Sequence, residues 1–343
     1  MTAIRTAAGR RGGQPATSSP APVAAAPRPR GWLGEWADAW NAFWFTPADP
    51  LPLAVIRIAT GAILTWSCVV WLLDADAFFG ARGWLRPDEV WRQNDQPWQW
   101  SLYFTASSPT MIRVVAGIAL VAAILLTIGL ATPLAALVSF VGLVSAANRA
   151  PLNVFGLDDT LGMLLVPLVV GPSGARLSVD GLLAGPGRGR GGPSVRANLA
   201  LRLLQVHLCV VYFFSGAGKL FGASWWEGTA LWGAIANDRY RTLDLRGLAG
   251  HPLVINALTL ATLWWEASYA ALVWPRLTRR LCLAMAVLVH LGIGLAMGMM
   301  EFGLAMITAN LAFVPAATLA RLVNPFTSRS SFPTLPGTFS DQP

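Results

Sequence analysis

The chain has 343 residues, of which 55% are hydrophobic and only 12% charged. A soluble domain carries about 25% charged residues, so cytosolic enzymes, disulfide scaffolds and disordered chains are poor fits. The formal net charge of +8 sits mostly on arginines between or beside apolar runs, which reads as membrane topology and not as nucleic-acid binding.

Residues 1–31 hold almost no large apolar side chain and read as a disordered cytoplasmic tail, without the apolar core of a signal peptide. Trp32, Trp36, Trp40 and Trp44 follow at four-residue spacing. That spacing puts the indoles on one helical face and predicts an amphipathic helix at the membrane surface. Apolar runs then come at Pro52–Leu73, Met111–Leu130, Pro133–Ala147 and Leu157–Gly171. Four more follow at Leu199–Phe221, Pro252–Val273, Leu281–Met300 and Gly303–Leu319. A span needs about 20 residues, so the third and fourth are short and also fit a re-entrant pair. The expected fold is an all-α, polytopic membrane bundle of about eight helices occupying 32–322, with a short flexible tail at 323–343. The stretch Gly181–Ser194, rich in Gly and Arg, reads as a linker.

Arginine sets the expected orientation. Fourteen fall on the side of the N terminus and seven on the other, which places both termini in the cytoplasm of a multi-pass cell-membrane protein. Cys68, Cys209 and Cys282 each lie inside an apolar run and read as small buried hydrophobes, with no zinc or disulfide pattern.

Ionisable groups inside membrane helices are costly and therefore candidates for function. Counting residues from the run ends sorts them into two layers. Arg57, Arg202 and Glu266 are expected in the inner half as an ion-pair cluster clamping three helices. The outer layer holds Lys219, His290, Asn148, Arg149, Asp158, Asp159, Ser215, Trp225, Trp226 and Glu227. Lys219 is the single lysine among 25 basic residues. A desolvated lysine can serve as a base where arginine cannot; the alternative is an amine that snorkels to the interface. Ser215 is four residues before Lys219, on the same face, and Gly216 and Gly218 permit close approach of another backbone. His290 reads either as a packing residue or as part of a site; a haem pair with His207 has no supporting motif.

The run Tyr212-Phe213-Phe214-Ser215-Gly216-Ala217-Gly218-Lys219-Leu220, followed by Trp225-Trp226-Glu227-Gly228, resembles the transmembrane core of vitamin K-dependent gamma-carboxylase. That core is shared with the horizontally transferred transmembrane (HTTM) domain family. Leu177-Ser178-Val179-Asp180-Gly181, Glu266, and His290 with Met297, Gly298 and Phe302-Gly303 are similar to further family stretches. The resemblance implies that Lys219 deprotonates a reduced quinone such as menaquinol and that His290 lines or orients the pocket. The stretch matching the carboxylase's functional histidine, Asn148–Gly156, contains none. The resemblance therefore implies a fold and a quinone-sized pocket more than carboxylation itself. Two functions stay open: a quinol-using oxidoreductase or carboxylase-like enzyme, and a non-catalytic membrane factor for maturation, export or immunity of a small secreted peptide. A transporter would show repeats and broken helices that the sequence lacks. The expected partners are the lipid bilayer and a small peptide or protein substrate, not nucleic acid.

Overall fold

The computed structural model describes residues 31–93, 99–185 and 191–327. The expected tail, but for Gly31, lies outside the described residues, as do residues 186–190 of the expected linker and 328–343 of the C-terminal tail. Two compact units are distinguished, Met1–Asn41 and Ala42–Pro343. Trp32, Trp36 and Trp40 of the first are exposed, and the last two stack at 5.5 Å.

Among the described residues the regular elements are helical, apart from one antiparallel bridge between Ala48 and Ser194. In chain order they are α1 (Trp32–Phe45), α2 (Leu51–Leu73), α3 (Ala75–Phe79), α4 (Pro87–Gln93) and α5 (Pro109–Ile128). Next come α6 (Thr132–Arg149), α7 (Gly156–Val170), α8 (Val179–Leu183), α9 (Val195–Leu220), α10 (Ala223–Trp226) and α11 (Ala230–Ile235). The series ends with α12 (Pro252–Leu272), α13 (Arg276–Met297), α14 (Met300–Asn310) and α15 (Ala316–Thr327). The chain is an all-α membrane bundle in which α2, α5, α6, α9 and α13 are long and apolar enough to cross a bilayer. The outward faces of these helices remain apolar, as lipid contact requires: Val114, Ile118 and Val121 on α5, and Leu281, Leu288 and Leu295 on α13, are all exposed.

Local sequence explains several helix ends. Ser108 and Ser194 cap α5 and α9 by accepting the backbone N–H three residues on, and Pro109 occupies the first turn of α5. Gly129 closes α5 in the left-handed region at φ 73°. The α5–α6 turn then depends on distant residues. Arg57, fully buried on α2, donates Nη1 to the Leu126 and Thr127 carbonyls at 3.0 and 3.3 Å and Nη2 to the Leu177 carbonyl. It thereby satisfies orphan carbonyls where the α5 dipole is negative. α6 has no cap of its own, and Asp180 supplies one, accepting from Ala131 N, Thr132 N and Thr132 Oγ1 at 2.7–2.8 Å. A Cβ on Gly129 would fall 1.9 Å from Arg57 Nη1, so glycine is required there twice over.

Two sequence expectations change. The eighth run, Gly303–Leu319, is not one helix: α14 ends at Asn310, a 3-10 turn covers Leu311–Phe313, and α15 begins after Pro315. Val314 is extended at φ −82°, ψ 126°, as the residue before a proline prefers. α15 then continues past the expected boundary at 322 to Thr327. The expected linker also starts late, since Gly181–Leu183 are helical within α8.

Candidate functional site

The C-terminal half of α9 carries Tyr212, Ser215 and Lys219 on one face, at spacings of three and four. Gly216, between them, fits directly against α12, where an added Cβ would stand 2.7 Å from Ala267 N. This crossing brings Glu266 level with Lys219. Lys219 Nζ donates to Glu266 Oε2 at 2.5 Å and to Ser215 Oγ at 2.8 Å, and Ser215 Oγ donates to the same Glu266 oxygen at 2.9 Å. Their side chains are 21% and 9% exposed for Lys219 and Glu266, so the pair is largely shielded but open on the lysine side. Trp225, on α10, lies over the amine with its ring centroid 5.2 Å away, a cation–π contact. An ammonium, a carboxylate and a hydroxyl thus meet, with no other charged side chain in the ion pair among the described residues.

A second polar group lies deeper in the core. His290 Nε2 is 2.8 Å from Tyr212 Oη; Asn310 Nδ2 donates to Tyr212 Oη at 3.1 Å and to the Met306 carbonyl at 2.9 Å; Tyr269 Oη donates to Asn310 Oδ1 at 2.7 Å. All four side chains are buried. Trp265 packs edge-on against Tyr212, and Gly303 of α14 lies against the His290 carbonyl, so no side chain separates α13 from α14 there.

The expected inner ion cluster of Arg57, Arg202 and Glu266 does not form. Glu266 pairs with Lys219, Arg57 with carbonyls at the α5 end, and Arg202 with the Phe43 carbonyl at 3.1 Å and Gln205 Oε1 at 2.9 Å. The Arg202 guanidinium also lies 4.1 Å from the Phe43 ring centre. Counting inward from the run ends failed because α12 is displaced along α9. Asn256 and Thr259 in its first turns bond to Gly228, just after α10, and to Leu231 of α11, so Glu266, fourteen residues after Pro252, reaches only the end of α9.

The expected outer cluster separates as well. Ser215, Lys219 and Trp225 come together, whereas Trp226 donates Nε1 to the Leu220 carbonyl and Glu227 is exposed. Asn148 donates to the Trp100 carbonyl at 2.8 Å, and fully buried Arg149 donates to the Gly80 and Leu85 carbonyls at 2.8 and 3.0 Å. Both tie the α2–α5 connection to the end of α6. Asp158 accepts from Phe155 N at the start of α7, and Asp159 is exposed. Of the exposed and buried histidines, His207 lies on the α9 surface, whereas His290 faces Tyr212.

Sequence reading missed Tyr212, Tyr269 and Asn310. The signals were present: two of only four tyrosines, one of them seven residues before the single lysine, and a lone amide in an apolar run. No protein-family model, curated protein or solved structure matches this chain.

Proposed function

We propose that this chain is a multi-pass cell-membrane enzyme of the carboxylase-like, HTTM type that takes a proton from an acidic hydroxyl on an apolar substrate, such as a reduced quinone. The observation that carries this reading is the Lys219–Glu266–Ser215 triangle, shielded on the Glu266 side and open at the amine. Its geometry suits general acid–base work, because amine and carboxylate share hydrogen-bonded protons within reach of an incoming hydroxyl. After the ammonium has passed one proton to water on its open side, the neutral Lys219 amine accepts the substrate proton while Glu266 stabilises the ammonium that re-forms. Ser215 fixes the shared carboxylate oxygen, and the Trp225 ring offers a flat face to a flat substrate. The resemblance of the Tyr212–Leu220 run to the carboxylase core supports a quinone as the source of the hydroxyl. The arginine distribution supports cytoplasmic termini and hence a site near the opposite face.

The decisive variant is Lys219→Arg, which keeps the charge and the ion pair but removes the base. The expected result is a protein that accumulates in the membrane, co-purifies with quinone as the wild type does, and fails to restore the phenotype of a strain lacking the gene. Full restoration by Lys219→Arg would make Lys219 an anchor. The remaining reading is then the non-catalytic factor acting on a small secreted peptide.

A further inference from the structure

One proton arrangement gives every hydroxyl and amide hydrogen of the buried chain from Tyr269 to His290 an acceptor. The Met306 carbonyl can only accept, so the Asn310 atom 2.9 Å from it is the amide nitrogen. The other Asn310 atom is therefore the oxygen, and Tyr269 must donate to it. The second amide hydrogen points to Tyr212 Oη, which accepts it. The Tyr212 hydroxyl hydrogen then has one partner left, His290 Nε2 at 2.8 Å. A nitrogen that accepts is bare, so in the neutral imidazole the hydrogen sits on Nδ1. Nδ1 is buried and has no hydrogen-bond partner among the described residues, and the residue is only 4% exposed. Buried donors in folded proteins are almost always satisfied, and an exception calls for an explanation.

We infer that Tyr269, Asn310 and Tyr212 form a one-directional hydrogen-bond chain that holds His290 as the Nδ1–H tautomer, and that this N–H is the donor reserved for an uncharged acceptor oxygen of the ligand, a carbonyl. His290 then recognises a carbonyl-bearing ligand, and Tyr212, Asn310 and Tyr269 are positioning residues that act through it. The tautomer follows from hydrogen bonding alone, whereas the choice of a quinone carbonyl over a peptide carbonyl rests on the proposed function.

The test is nitrogen NMR of detergent-solubilised protein labelled with 15N-histidine, with the His290 signals assigned by His290→Gln. The wild type should show a proton-coupled Nδ1 and a bare Nε2. Tyr212→Phe should lose this pure pattern, because nothing then donates to Nε2. Tyr269→Phe should keep it, because the Met306 carbonyl still fixes the amide. A protonated Nε2 in the neutral wild-type imidazole, or an unchanged pattern in Tyr212→Phe, overturns the chain. Titration with menadione should move the Nδ1 signal saturably, and N-methylacetamide should not. A shift with the amide alone keeps the carbonyl site and removes the quinone from the proposed function. No shift with either probe overturns the ligand-binding role of His290.

Discussion

Lys219 and Glu266 show how little a single side chain says about its own role. Each is ordinary in isolation, yet at 2.5 Å and largely out of water they become one ion pair in which each charge compensates the other. Removing one partner leaves a charge without compensation, so Glu266→Ala should destabilise the protein by about 3–5 kcal/mol. Chemical or thermal unfolding in detergent would measure it. Replacing both partners, as Lys219→Met with Glu266→Leu, should recover most of that stability without recovering function. If the double variant is as unstable as Glu266→Ala, the cost lies in packing and not in the orphaned charge. Arg57 is different in kind: its hydrogen bonds go to carbonyls, and its effect is to close the end of α5.

At the level of elements, the site exists because α9 and α12 touch backbone to backbone at Gly216. A side chain there overpacks the crossing, so Gly216→Val should cost about 1–3 kcal/mol and separate Lys219 from Glu266. Gly218, two residues on, has nothing within 4 Å of its would-be Cβ, and Gly218→Ala should be neutral or stabilising. Equal damage from both variants, read as a fall in melting temperature, would refute the crossing as the cause. The α5–α6 turn makes a second prediction. Burial raises the Asp180 carboxyl, but the bonds from Thr132 and Ala131 outweigh it and leave Asp180 below its ordinary value. A carboxyl lowered in the folded state stabilises above its unfolded value and loses that contribution as pH falls. The melting-temperature gap between wild type and Asp180→Asn should therefore be constant near neutrality and narrow below about pH 4. A gap that widens with acid would mean that Asp180 does not act as the charged cap of α6.

At the scale of the molecule, five helices among the described residues have the length and apolarity of spans, and the apolar faces they leave exposed fit a lipid surround. The arginine excess beside the N terminus predicts that reporters fused at either end are active only in the cytoplasm. Activity of a C-terminal reporter outside the cell would invert the bundle and move the Lys219 end to the cytoplasmic face.

Composition and run length determined that this is a helical membrane protein, because hydrocarbon tolerates only backbones that bond internally. Cap chemistry at Ser108, Gly129 and Ser194 determined where individual helices begin and end, since those bonds reach only a few residues. The Ser215–Lys219 half of the site was legible for the same reason: four residues on one helix share a face. Its other half was not. Whether Glu266 meets Lys219, Arg57 or Arg202 depends on how far α12 slides along α9 and how each is rotated about its axis. Those two quantities are set by packing at Gly216 and by the α10–α11 contacts, which no residue count along the chain contains. The Tyr212–His290–Asn310–Tyr269 chain was hidden for the same physical reason, because its four members come from four helices and acquire partners only when the bundle closes.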